Sequence, residues 1–201
     1  DRLGLVNDRL MAVHMTDLTD AEIALCAARG VSVVHCPESN LKLASGFCPV
    51  AKLQQAGVNL AIGTDGCASN NDLDMFGETR TAALLAKGVS GDASALDAAS
   101  ALRAATLGGA RAMGLGEQVG SIEPGKQADL ACVDLSALET QPLHHVLSQL
   151  VYAVGRHQVS DVWLAGKARV AGGQLLDMDT AAIAAKARRW RERIAGIKGG
   201  A

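Results

Sequence analysis

Between Leu10 and Lys87 the chain alternates short, almost wholly apolar runs with longer amphipathic ones, and this alternation restricts the fold more than any other feature. Leu10-Met11-Ala12-Val13, Val31-Ser32-Val33-Val34 and Val58-Asn59-Leu60-Ala61-Ile62 are strand-sized. Runs this short, apolar at nearly every position, suit a parallel sheet covered on both faces. The intervening stretches carry helix signals. Asp20 and Glu22 fall in the first turn after Thr19, where the helix dipole favours acids, and Gly30 stops that helix. Pro49 suits the first position of a second helix running through Ala56, Gly57 ends it, and a third helix covers about Asp74 to Lys87. The segment between Val34 and Pro49, rich in Pro, Ser and Gly, reads as a loop. Three strand-helix units cannot close a (β/α)8 barrel. They form either a small open sheet or part of a barrel whose other strands lie N-terminal to Asp1.

Beyond Lys87 a helical pattern rich in Ala and Leu runs from about Ser94 to Met113, and Gly114-Leu115-Gly116 closes it. The character then changes to antiparallel sheet. The turn Glu123-Pro124-Gly125-Lys126 precedes the short run Leu130 to Val133, and Val159 to Leu176 reads as a hairpin bending at Gly166 or Gly172-Gly173. Thr180 to Ile194 is an amphipathic helix in which Arg188, Arg189, Arg191 and Arg193 read as a solvated face. These changes place a boundary near Gly116 to Gly120 and divide the chain at 1–118, 119–178 and 179–201.

Composition excludes several functions. With 201 residues and 49% hydrophobic content the chain can fill a core. Its 19 basic and 21 acidic residues are scattered, so no footprint for nucleic acid is expected. Every apolar run is far short of the roughly 20 residues that span a bilayer, so no membrane partner is expected. Five cysteines, Cys26, Cys36, Cys48, Cys67 and Cys132, form no C-x-x-C pair and are odd in number, which argues for free thiols. The chain opens at Asp1 without a Met or an apolar signal core, so the start reads as internal to something longer and cytoplasmic residence is the default expectation.

In parallel α/β proteins the reactive groups gather at the carboxyl ends of the strands. His14 follows the first run, His35 the second, and Asp65 stands in Thr64-Asp65-Gly66 after the third, so three titratable groups are expected at a common mouth. Each alone is more often a hydrogen-bonded structural residue. Together they suit metal-assisted hydrolysis, with the carboxylate as metal ligand or proton acceptor and a neutral imidazole orienting water. They are too few for a catalytic zinc, which takes three protein ligands and a water. His144, His145 and His157 lie far from any strand end and read as surface or structural. Gly108-Gly109 and Gly114-x-Gly116 follow a helix, so they are no dinucleotide fingerprint, and the G-x-S-x-G elbow is absent.

The runs Ala12 to Thr19, Val34-His35-Cys36-Pro37-Glu38-Ser39-Asn40-Leu41-Lys42-Leu43 and Gly63-Thr64-Asp65-Gly66-Cys67-Ala68-Ser69-Asn70-Asn71 resemble the amidohydrolase superfamily. The nearest branch is that of 5-methylthioadenosine/S-adenosylhomocysteine deaminases and related aminohydrolases, which also holds chlorohydrolases of s-triazines. The resemblance implies an α/β fold: the last three strand-helix units of a TIM-type (β/α)8 barrel, plus part of a small β-sandwich built around Glu123 to Leu130 and the hairpin at Gly166-Lys167. It implies Asp65 as metal ligand, proton shuttle and substrate contact, His14 as the group steadying the hydrolytic water or tetrahedral centre, Ser69 as a second substrate contact and Asn40 as a brace for its loop. Asp17 stands where relatives often carry a second histidine and is expected outside the reaction centre.

The implied activity is hydrolytic deamination of a purine nucleoside (methylthioadenosine, S-adenosylhomocysteine or adenosine) with one divalent metal, zinc first and iron or manganese as alternatives. A guanine, cytosine or triazine aminohydrolase or a chlorohydrolase is the rival enzyme, and a non-catalytic half-barrel assembly subunit the rival of another class. The family's other metal-binding histidines and the glutamate that protonates the purine ring are not in this sequence. The expected partners are therefore the purine substrate and an N-terminal half of the same protein, in a homodimer or larger assembly, and the chain alone is expected to be inactive.

Overall fold

Two sheets organise the chain in a computed structural model that describes residues 1–198. The first is parallel, with strands β1 (Met11–Val13), β2 (Ser32–His35) and β3 (Asn59–Ile62) side by side in that order. Helix α1 (Asp20–Ala28) connects the first two strands. Its start carries a reciprocal cap: the Thr19 hydroxyl accepts from the Glu22 backbone N–H, and the Glu22 carboxylate accepts from the Thr19 N–H. Two short helices, α2 (Pro37–Lys42) and α3 (Val50–Gln55), lie between β2 and β3. After β3 the chain makes a long loop before α4 (Met75–Ser90), capped by the Asp74 carboxylate and ended by Gly91 in the left-handed conformation.

The helical run that follows is α5 (Ala98–Arg103), a π-helical turn (Ala104–Gly108) and α6 (Gly109–Ala112). Asp97 caps α5 by accepting from the Ser100 N–H at 2.7 Å. The second sheet is antiparallel and contains β4 (Leu130–Val133), β5 (Val159–Leu164), β6 (Lys167–Ala171) and β7 (Gln174–Leu175). Helix α7 (Val146–Tyr152) falls between β4 and β5, and α8 (Thr180–Lys198) follows the sheet. No helix among the described residues is long and apolar enough to cross a membrane.

Four expectations from the sequence are corrected here. The segment after the second strand is not a plain loop, because Pro37 opens helix α2. Proline at a first helical position loses no needed N–H, and this is the signal that the Pro, Ser and Gly content obscured. Pro49 caps its helix from outside instead of beginning it. The run expected from Ser94 starts at Ala98, since the Asp97 side chain satisfies a free N–H of the first turn there. Both expected glycine bends of the hairpin are used, so three strands arise where two were expected. Helix α7 carried no cue that the sequence reading used.

Aromatic residues make up only 2% of the chain, so the core is filled by Val, Leu, Ile and Ala, and backbones must approach closely. Val33 and Leu53 and the helix-borne Ala82, Ala83 and Ala101 are fully buried between the parallel sheet and its helices. The tightest approach is at the π-turn. A Cβ on Gly108 would come 2.1 Å from the Leu60 carbonyl oxygen on β3, whereas one on Gly109 would meet nothing nearer than 3.9 Å. Asn59 strengthens this seam by donating to the Gly108 carbonyl at 3.0 Å. Gly108→Ala is therefore expected to lower stability by about 1–3 kcal/mol through overpacking, with Gly109→Ala neutral or slightly stabilising. Equal denaturation midpoints for the two variants would show that β3 does not depend on this contact.

Candidate active site

The parallel register decides which residues meet. Val13 pairs with Val34 and Val34 with Ala61, so the three strands end level and the residues that follow them share one rim. His14 sits directly after β1, and its backbone N–H donates to the Val34 carbonyl at 3.0 Å. Asp65 lies three residues beyond β3. Both occupy the left-handed backbone region, at φ 69° and φ 61°. Non-glycine residues adopt it at a cost, and His and Asp are among those enriched there. The turn at His14 is closed by the Met15 N–H donating to the Val13 carbonyl at 2.9 Å, which aims the imidazole across the rim.

Asp65 is the centre of the cluster. Its Oδ2 accepts from Ser39 Oγ at 2.7 Å and from Ser69 Oγ at 2.5 Å, and lies 3.8 Å from His14 Nε2. Oδ1 takes no side-chain hydrogen bond among the described residues. The carboxyl is pulled down to about 2, first by the Ser69 hydroxyl, then by Ser39 and the Gly66 backbone, with His14 adding a smaller favourable effect. Hydrogen bonds to the charged form, and not a paired cation, thus keep this carboxylate ionised. It remains about a third exposed, so the carboxylate is open to a ligand.

His14 is oriented from the other side. Its Nδ1 lies 2.8 Å from Asn40 Oδ1. An amide oxygen can only accept, so Nδ1 donates to Asn40 and the ring turns Nε2 toward Asp65 and the open rim. Asn40, expected to brace its own loop, therefore anchors Nδ1 of the histidine. Both Asn40 and its neighbour Ser39 come from helix α2, and both are fully buried. Ser39 was missed by the sequence reading. A serine in a segment read as loop gives no sign of burial, and only the helical turn from Pro37 carries its hydroxyl under Asp65.

The structure separates His35 from the other two. It is the last residue of β2, it alternates onto the same face as the fully buried Val33, and it is 2% exposed. Neither ring nitrogen has a hydrogen-bond partner among the described residues. Burial, with His14 nearby, drives its pKa down to about 4 and keeps it neutral. The expected common mouth of three titratable groups thus reduces to His14 and Asp65, because strand alternation turns the third side chain inward. Cys36 is also buried, and its thiol is pushed up to about 11, which rules it out as a thiolate nucleophile at neutral pH. The remote histidines stay apart: His145 caps α7 by accepting from the Ser148 N–H, and His144 and His157 are exposed.

No cluster of three or more His, Cys, Asp or Glu able to hold a metal occurs among the described residues. An ionised, partly exposed carboxylate nevertheless has the chemistry of a single metal ligand. Replacing Ser39 with Ala is expected to move the Asp65 titration upward from about 2 toward the ordinary 3.8, as read from its carboxyl ¹³C shift. An unmoved titration would mean that Ser39 does not hold the charge.

Residues 1–169 match the amidohydrolase family. The chain is 53% identical, over 96% of its length, to the 5-methylthioadenosine/S-adenosylhomocysteine deaminase of Teredinibacter turnerae, and covers 43% of that protein. Among solved structures it is similar to an adenosine deaminase from Xanthomonas campestris with bound zinc, at 77% identity and a TM-score of 0.96, covering 98% of this chain and 45% of that one. It is also similar to the zinc complex of the atrazine chlorohydrolase TrzN from Arthrobacter aurescens TC1, at 28% identity and a TM-score of 0.86, covering 92% of this chain and 41% of that one. The chain thus spans less than half the length of the relatives it matches.

Proposed function

Because the chain belongs to the amidohydrolase family, we propose that it is the C-terminal part of a metal-dependent hydrolase that removes the amine of a purine nucleoside as ammonia. The observation that carries this reading is the Asp65 carboxylate, held ionised at the rim by two hydroxyls and facing His14 Nε2 at 3.8 Å. Deaminases among the relatives support the substrate class, with methylthioadenosine, S-adenosylhomocysteine and adenosine as candidates.

In this reading residues 1–118 supply the last three units of a TIM-type barrel and 119–178 part of a β-sandwich. The remaining strands and metal ligands come from an N-terminal half of the same polypeptide. Met11 and Val13 support this. They lie on edge strand β1 at 46% and 45% exposure, where a parallel strand is ordinarily covered on both faces. A homodimer or larger assembly is part of the same proposal.

Asp65 would hold the metal through its carboxylate, with zinc favoured by the zinc-bound relatives and iron or manganese suited to the same donors. A divalent metal at that position lowers the pKa of bound water toward 7. The chain's own residues manage the protons. Asp65 takes the proton of the attacking water on its carboxylate and returns it to the departing amine, while Ser39 and Ser69 keep that carboxylate in place. His14, with Nδ1 committed to Asn40, accepts from the new hydroxyl at Nε2 and steadies the tetrahedral carbon. Ser69 still has lone pairs free to accept a hydrogen bond from the substrate.

A chlorohydrolase reading is favoured by the likeness to TrzN and requires the same placement of Asp65. The two part on the leaving group. Full-length protein assayed with methylthioadenosine, adenosine, guanine and a chlorotriazine is expected to bind about one equivalent of zinc and release ammonia from one purine. Chloride release from the triazine alone would overturn the deaminase proposal. Asp65→Ala is expected to lower kcat by at least about 10²-fold, the lower end of what general acid-base catalysis contributes. Retention of wild-type turnover would remove Asp65 from the reaction.

A further inference from the structure

Behind the rim lies a second carboxylate that the chemistry above does not use. Glu78, in the first turn of α4, has no exposed surface. Its Oε1 accepts from Asn70 Nδ2 at 2.6 Å, and its Oε2 accepts from the Glu38 backbone N–H at 3.2 Å. Asn70, itself 3% exposed, uses its Oδ1 to accept from the Leu73 N–H and extends its amide toward Glu38 Oε2 at 3.4 Å. Thr81, one turn along α4, donates to the other oxygen of Glu38 at 2.9 Å. No Lys, Arg or His pairs with Glu78 among the described residues. Burial accordingly pushes its pKa up to about 7, with Glu38 and Asp72 adding to the rise.

An unpaired carboxyl in an alanine and leucine core is a poor source of stability, and an apolar side chain of similar volume serves a core at least as well. Its connections suggest another role. Glu38 immediately precedes Ser39 and Asn40, and Asn70 immediately follows Ser69. The two residues that Glu78 grips are therefore chain neighbours of all three side chains that hold Asp65 and His14. Lys42 adds a bridge between the same two segments by donating to the Ala68 carbonyl and to Asn71, but it does so at the surface. Glu78 does so from inside, with one oxygen for each segment.

We infer that Glu78 is a positioning residue, a buried clamp that sets α2 against the β3–α4 loop so that Ser39 and Ser69 converge on Asp65 and Asn40 on His14. The kinetic part of this inference rests on the hydrolase reading; the geometric part does not.

The test uses the donor and acceptor pattern. In the full-length protein, Glu78→Gln keeps the size of the side chain but sets an NH2 against either the Asn70 amide or the Glu38 N–H. Asn70→Asp sets a carboxylate against a carboxylate. The double variant restores the contact between positions 78 and 70 in the reverse sense, since the new amide donates to the new carboxylate while its carbonyl still accepts from the Glu38 N–H; only the long Asn70 contact to Glu38 Oε2 stays lost. Each single variant is expected to lose about ten- to a hundredfold in kcat, the scale of a small misplacement of reacting groups, with bound zinc unchanged and KM within about threefold. The double variant is expected to recover at least about tenfold over the weaker single variant. Folded single variants with wild-type kcat, or a double variant no better than the weaker single, would overturn the clamp. If Glu78→Gln does not fold, Asn70→Ala withdraws the donor without touching the buried carboxyl and is held to the same loss. Should the wild type release no ammonia at all, the hydrolase reading fails on its own and the clamp is judged from crystal structures. Separation of Ser39 Oγ from Asp65 beyond hydrogen-bonding distance in Glu78→Gln supports it, and an unmoved Ser39, Ser69 and Asn40 overturn it.

Discussion

In-phase parallel pairing of β1, β2 and β3 is the constraint on which everything else in this molecule rests. Because Val13, Val34 and Ala61 lie level across the sheet, the segments after each strand emerge at one height and can exchange hydrogen bonds. A slip of one residue in β2 would turn Val33 outward and break the core, so the same apolar packing that stabilises the sheet also sets the rim. Leu60 and Gly108 reinforce it, since the π-turn can lie on β3 only where a side chain is missing.

On that platform two carboxylates are driven in opposite directions by their surroundings. Asp65 stays at the rim, and two hydroxyls hold it ionised without a partner cation, leaving its charge available to a ligand. Glu78 is sealed behind the rim, and loss of water raises its pKa toward neutrality. Such a division, one carboxylate held charged at the rim and the other pushed toward neutrality inside, follows chiefly from burial and hydrogen bonding, with neighbouring charges adding to each. The histidines divide the same way. His14 stands in a left-handed turn with one nitrogen anchored, whereas His35 alternates into the core and stays neutral.

Outside this platform the chain is more loosely joined. The antiparallel sheet meanders from β4 to β7 with register shifts at Cys132/Val133 and Val162/Trp163. Helix α8 exposes Ile183, Trp190 and Ile194 on one side and carries its arginines in water, with Arg193 stacked 4.5 Å from the centre of the Trp190 ring. Arg80 and Arg156 tie the two regions together by donating to the carbonyls of Val154 and Asp72.

The sequence by itself determined the parallel α/β character, the three strands to within a residue, the antiparallel region after Gly120, and His14 and Asp65 as groups at strand ends. These follow from local period and from position along the chain, which one-dimensional patterns record directly. Only the tertiary structure decided that His35 faces inward, that Ser39 joins Ser69 in sustaining Asp65, that Asn40 anchors Nδ1 of His14, and that Glu78 joins the two segments. The hydrogen bonds between His14 and Asn40, Ser39 and Asp65, and Glu38 and Glu78 join residues 26, 26 and 40 positions apart. Burial and hydrogen-bond direction exist only once distant segments are brought together, so no local pattern could carry them.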